Sequence, residues 1–101
     1  MAAHTISVTV EQAAIRVHPE TLVMTSEDDV QWKGAGPRQF SIVFDTHAVF
    51  GERELSHAKA LTRQRPRAKG RFKYTVVAAD DPKLKLDPII VVEEPPSKPN
   101  P

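Results

Sequence analysis

No cysteine occurs among the 101 residues. Disulfides, thiolate metal sites and cysteine nucleophiles are thereby excluded from this chain, and a reducing compartment is the consistent setting. Long apolar runs are missing as well. PIIVV and VVAA fall far short of the roughly 18 residues that a spanning helix needs. The opening MAAHTISVTV has neither the basic start nor the apolar stretch of about 7–15 residues that marks a secretory signal. These absences predict a soluble protein, cytoplasmic as the sequence stands, with a removed leader and a periplasmic location left open. Nor does one sign of charge dominate. Fourteen Lys and Arg face 13 Asp and Glu, and a net charge of +1 names no anionic partner. The four glycines form no phosphate-cradling loop, and no nucleophile elbow or paired-carboxylate motif is present.

What is present is alternation with a period of two. In HTISVTVEQ, Ile6, Val8 and Val10 fall on one face and Thr5, Ser7 and Thr9 on the other, the pattern of a half-buried strand. Ile15 and Val17 continue it, then Leu22 and Met24. Pro19 lies between the two pairs and marks a bend or an edge, since proline has no amide donor. After the polar turn SEDD, Val30 and Trp32 share a face, and beyond GAGP the trio Phe40, Ile42 and Phe44 alternates again. Residues 52–61 differ: good helix formers with Leu55, Ala58 and Leu61 at helical spacing predict a short helix. Phe72, Tyr74 and Val76 return to strand spacing, AADDPKLKLD reads as a loop, and PIIVVEE closes the domain. Phe50 falls outside every pattern. The expectation is an all-β sandwich of about seven strands with one short helical insertion, occupying residues 1–94, followed by a proline-rich disordered tail at 95–101.

The order of these features resembles the cupredoxin family. IRVHPETLVMTSEDDVQW is similar to that family's opening signature, carried here by Pro19, Leu22, Asp29, Val30 and Trp32. QFSIVFD resembles the strand that follows the first copper-ligand histidine, GRFKYTVV the strand leading into the ligand loop, and DPIIVVEE the closing strand. The resemblance spans roughly residues 5–94 and implies a Greek-key β-sandwich. It also implies where copper ligands would stand, and this sequence departs from them. Phe40 replaces the first histidine, Val76 stands where the cysteine would end its strand, and AADDPKLKL supplies neither histidine nor methionine. Type 1 copper depends on a thiolate and two imidazoles. The expectation is a scaffold with no copper and no other cofactor, and the family's electron transfer is not carried over.

Two groups of residues remain to be weighed. His4, His18, His47 and His57 have no ligand spacing on a helix or strand and read as solvent-facing, the alternative being a site assembled in space from His47, His57 and a carboxylate. Ser56 and His57 are neighbours on the predicted helix, so their side chains diverge by about 100° and make no catalytic pair. The second group is basic. Between residues 59 and 73 there are seven cations and no acid, namely Lys59, Arg63, Arg65, Arg67, Lys69, Arg71 and Lys73. Arg71 and Lys73 are explained as the polar face opposite Phe72 and Tyr74. The segment Lys59 to Arg71 is the candidate partner-binding surface. No enzyme is indicated. The sequence predicts a metal-free interaction module of a bacterial-type assembly that binds a protein partner through its loops near 59–71 and 78–87. The alternative is a binder of anionic polymer, nucleic acid or acidic polysaccharide, through residues 59–73. No membrane partner is implied, and the oligomeric state stays open.

Overall fold

A computed structural model describes residues 2–36 and 38–95. The predicted tail therefore lies, beyond Pro95, outside the described residues. Among the described residues, nine strands and one helical turn follow in the order β1 (Ala3–Val10), β2 (Ile15–His18), β3 (Thr21–Thr25), β4 (Asp29–Gly34), β5 (Phe40–Phe44), β6 (Glu54–Leu55), α1 (His57–Ala60), β7 (Gly70–Ala78), β8 (Asp81–Leu86) and β9 (Ile89–Glu93). They make two facing sheets. One has the order β2-β1-β4; the other runs β3-β9-β7-β5-β6, with β8 also paired to β7.

Alternation decides which side chains enter the space between the sheets. Ile6 and Val8 on β1, Ile15 and Val17 on β2, and Val30 and Trp32 on β4 are buried from one side. Leu22 and Met24, Phe40, Ile42 and Phe44, Tyr74, Val76 and Ala78, and Ile90 and Val92 are buried from the other. These residues form one cluster. Each large apolar side chain so buried contributes about 1.5–3 kcal/mol of transfer free energy. At its centre Trp32 donates its Nε1–H to the Tyr74 hydroxyl at 3.3 Å, and the two rings meet edge-on at 5.6 Å. Burial pushes the Tyr74 phenol up to about 12. Phe50 completes the group, edge-on to Trp32 at 6.0 Å and to Phe44 at 5.4 Å. The residue that fits no pattern is thus core, held there by an irregular loop.

β2 and β3 are one extended stretch that changes sheets at Pro19, behind a cis His18–Pro19 bond. The first half pairs with β1 and the second runs parallel to β9. The bend predicted at Pro19 is this crossing. Two predictions are corrected. The helix over 52–61 shrinks to a single turn, His57–Ala60, capped by the Ser56 hydroxyl, and Glu54–Leu55 pairs with β5 as a strand instead. Leu55 is fully buried while Ala58 and Leu61 are exposed, so the helical spacing of the three marks no common face. The 81–86 stretch is a strand and not a loop. It returns from β7 after a turn of Ala79 and Asp80, its pairing with β7 irregular at Val77 and Ala78. These two additions account for the strands beyond the seven expected.

Candidate functional site

The sheet end where β5 begins and β7 finishes is the place where the resemblance sets its copper ligands. Phe40 opens β5 and lies directly across from Ala78, the last residue of β7. Val76, the position that the resemblance gives to the cysteine, lies two residues deeper, across from Ile42, and faces the core. Both Phe40 and Ala78 are 1% exposed. Beside Phe40 stands His57, whose ring meets the phenyl edge-on at 4.8 Å. The Phe40 N–H donates to His57 Nδ1 at 3.2 Å, which places the imidazole proton on Nε2. Gly34 lines the same contact, because a Cβ there would come within 3.3 Å of the Phe40 ring.

Above this apolar floor the end is closed by charge. The Arg38 guanidinium binds both Asp80 oxygens, at 2.7 and 3.0 Å, and donates to the Glu11 carbonyl at 2.6 Å. One side chain thereby joins the β1–β2 turn, the approach to β5 and the β7–β8 turn. The Ala79 N–H adds a bond to the Gln39 carbonyl at 3.0 Å. Asp80 accepting from Arg38 holds the Asp80 carboxyl below its ordinary value and the guanidinium above its own. The shallow hollow left here, about 370 Å³, is lined by Arg38, Gln39, Ala79 and Asp80.

The predicted basic segment is not one surface. Lys59 sits on α1 near the Gly34 end of β4 and pairs with Glu52 at 2.5 Å. Arg65 pairs with Asp29 at 3.0 Å, at the other end of β4. At a strand rise of about 3.3 Å per residue those ends lie roughly 17 Å apart. Between them Gln64 exchanges backbone bonds with Val30, so the segment runs along the edge of β4. Lys69 is paired with Glu94. Arg67 lies over Gly51, where a Cβ would meet the guanidinium at 2.9 Å, and its N–H donates to the Val49 carbonyl. Arg63 and Arg71 are exposed, the latter on the outer face of β7 with Lys73. Sequence showed the cations but not their carboxylates, which come from residues 7 to 36 positions away. Among the described residues no cluster of three or more metal-ligating side chains occurs, so His47 and His57 gather no such group.

The buried carboxylate was absent from the candidates. Asp28 is 7% exposed and accepts from the Thr25 N–H at 3.0 Å, His4 Nε2 at 3.1 Å and the Ala2 N–H at 2.9 Å. The Thr25 N–H bond first, then His4 and Ala2, holds its carboxyl well below the usual carboxylate range. Its sequence context, SEDD, signals only a polar turn. The arrangement is structural: Asp28 stitches the start of β1 to the end of β3, across the gap opened when the chain changes sheets.

No family model and no curated protein matches this sequence. Solved structures do. A pseudoazurin from Sinorhizobium meliloti aligns with a TM-score of 0.60 at 15% identity, covering 94% of this chain and 76% of that one. An amicyanin mutant in its reduced Cu(I) form gives 0.53 at 18% identity over 88% of this chain and 82% of its own. An oxidised amicyanin mutant gives 0.51 at 20% identity over 87% and 81%. The residues present do not fit the type 1 copper of that fold. Phe40 and Val76, at the positions that the resemblance gives to the histidine and the cysteine, bring only carbon, and the turn after β7 brings only Ala79 and Asp80. The chain has the cupredoxin fold, with an apolar contact beneath an arginine–aspartate clasp at the end where the resemblance sets copper ligands.

Proposed function

We propose that the chain is a non-catalytic, metal-free module of cupredoxin fold that binds a protein partner through the loop between α1 and β7. The observation that supports this is the division of the basic segment. Lys59, Arg65 and Lys69 are spent on carboxylates of the same chain, whereas Arg63, Arg67 and Arg71 have no carboxylate partner among the described residues. These three arginines are exposed and separated from one another by neutralised pairs. Discrete, planar donors of this kind suit individual carboxylates on a folded protein. A polyanion asks for a continuous basic track, and single-strand binders add exposed aromatic rings for stacking. Here Trp32, Tyr74, Phe40, Phe44 and Phe50 are all core.

The test is photo-crosslinking from the exposed Thr62 position, with and without Arg63→Glu, Arg67→Glu and Arg71→Glu together. The expected result is a protease-sensitive adduct that the triple reversal abolishes while the melting temperature holds. An adduct removed by nuclease would assign the anionic-polymer reading instead. An adduct indifferent to the reversal would remove the loop from consideration.

A further inference from the structure

β3 is the terminal strand of the larger sheet, and its outer edge is open over a short window. The Ile89 N–H donates to the Glu20 carbonyl at 2.8 Å and the Ser26 N–H to the Glu93 carbonyl at 3.1 Å. Peptide groups alternate in direction along a strand, so Glu20, Leu22, Met24 and Ser26 face β9 while Thr21, Val23 and Thr25 face away. Thr25 is closed on itself: its N–H reaches Asp28 Oδ2 at 3.0 Å and its carbonyl accepts from the Asp28 N–H at 3.1 Å. The N–H and C=O groups of Thr21 and Val23 have no partner among the described residues. Exposed edges are ordinarily blunted by charge, proline, a bulge or a covering element. TLVMT carries none of the first three, and nothing among the described residues covers it. Val23 is 53% exposed, more than any other large apolar side chain described.

We infer that β3 pairs antiparallel with β3 of a second copy of this chain, in a register centred on Leu22. Three features of the edge select this occupant. With Leu22 on the two-fold axis, Thr21 of each copy faces Val23 of the other, and their free backbone groups satisfy each other completely. Asp28 keeps its bonds to Thr25, whereas a register centred on Val23 would contest the Thr25 N–H. The outer face is complementary too. Val23 lies in register with Val91 and Arg71, and Thr21 with Ile89 and Lys73. Pairing joins the row Arg71–Val91–Val23 to the second copy's Thr21–Ile89–Lys73, which makes one β-branched row with a cation at each end. The nearest flanking acid, Glu20, falls opposite Met24 of the second copy, so no like charges meet across the seam. Arg71 belongs both to this row and to the proposed partner surface, whereas Arg63 and Arg67 are outside the row, and Val23→Lys and the arginine reversals test the two readings separately.

The experiment is sedimentation velocity on the full chain from about 10 μM to about 1 mM, the range in which so small an interface associates. The expected result is a reversible shift from monomer to dimer. Val23→Lys should move that shift to at least roughly tenfold higher concentration without changing the melting temperature, because the side chain is exposed and edge lysines oppose pairing. Register is read by mixing Thr21→Cys and Val23→Cys chains, each of which then carries a single cysteine. Directly paired residues sit about 5.5 Å apart between Cα atoms, within disulfide reach, so the mixed disulfide should exceed either homodimer. A monomer at every concentration would overturn the proposal, as would a dimer insensitive to Val23→Lys or a predominant Val23→Cys homodimer.

Discussion

Asp28 shows how one side chain can hold together what the topology separates. Three donors converge on it, from Ala2 just before β1, from His4 on β1 and from the end of β3, and each bond is part-buried. Asp28→Asn leaves one carbonyl oxygen to serve donors that now also face an amide, and should cost about 2 kcal/mol, the range for lost hydrogen bonds to a buried charge. The pH dependence follows from the direction of its shift. A carboxyl whose folded value lies below its unfolded value of about 3.9 stabilises the fold above that pH, and the contribution is lost as pH falls through the folded value. Urea unfolding followed by Trp32 fluorescence should therefore show stability rising with pH between about 2 and 5, and Asp28→Asn should flatten that rise. An unchanged slope would mean that the carboxylate is not the acid-sensitive stitch. None of this was legible in SEDD, because Ala2 and His4 lie 26 and 24 positions away. Sequence reports a residue's chemistry, while burial and partners come from the chain brought back against it.

The strands were legible where a side chain's neighbours two positions away decide its face. Ile6 and Val8, Val30 and Trp32, and Phe40 through Phe44 all point where alternation placed them. β8 escaped because Pro82 and its lysines read as a loop, and because its pairing with β7 breaks at Val77 and Ala78. The stretch 52–61 misled for another reason. Intrinsic propensity favoured a helix, but the strand pairing of Leu55 with Ile42 and the burial of its side chain outweighed it. The two readings differ in a measurable way. If Leu55 is a core strand residue, Leu55→Ala should cost about 2–5 kcal/mol, the range for a buried leucine. Leu61→Ala, at a side chain 40% exposed, should stay within about 0.5 kcal/mol. Similar losses from the two, measured by thermal or urea unfolding, would restore an amphipathic helix with both residues on its buried face. The basic segment was half legible: its cations were visible, and their pairing with Glu52, Asp29 and Glu94 was not.

The sandwich as a whole closes on groups that its own sheets present. What organises the two sheets is the buried cluster and the crossing at Pro19, and neither depends on a ligand at the open end. That end is instead completed by the Phe40–Ala78 pair, the edge-on His57 and the Arg38 clasp, each using groups the sheets already present. We predict that copper has no part in holding this chain together, and the consequence is thermodynamic. A ligand that binds only the folded state at a concentration a hundredfold above its dissociation constant adds about 2.7 kcal/mol. For a domain of this length that raises the melting temperature by roughly 10–20 °C. Adding Cu(II), or Cu(I) under reducing conditions, should shift it by less than about 2 °C and should produce no intense thiolate charge-transfer band. Histidines on the surface can still take up copper weakly, and weak uptake without a thermal shift is the expected outcome. A shift of 10 °C or more would show that imidazoles and carboxylates converge on the metal in a manner the fold described here does not provide, and the metal-free reading would fall with it.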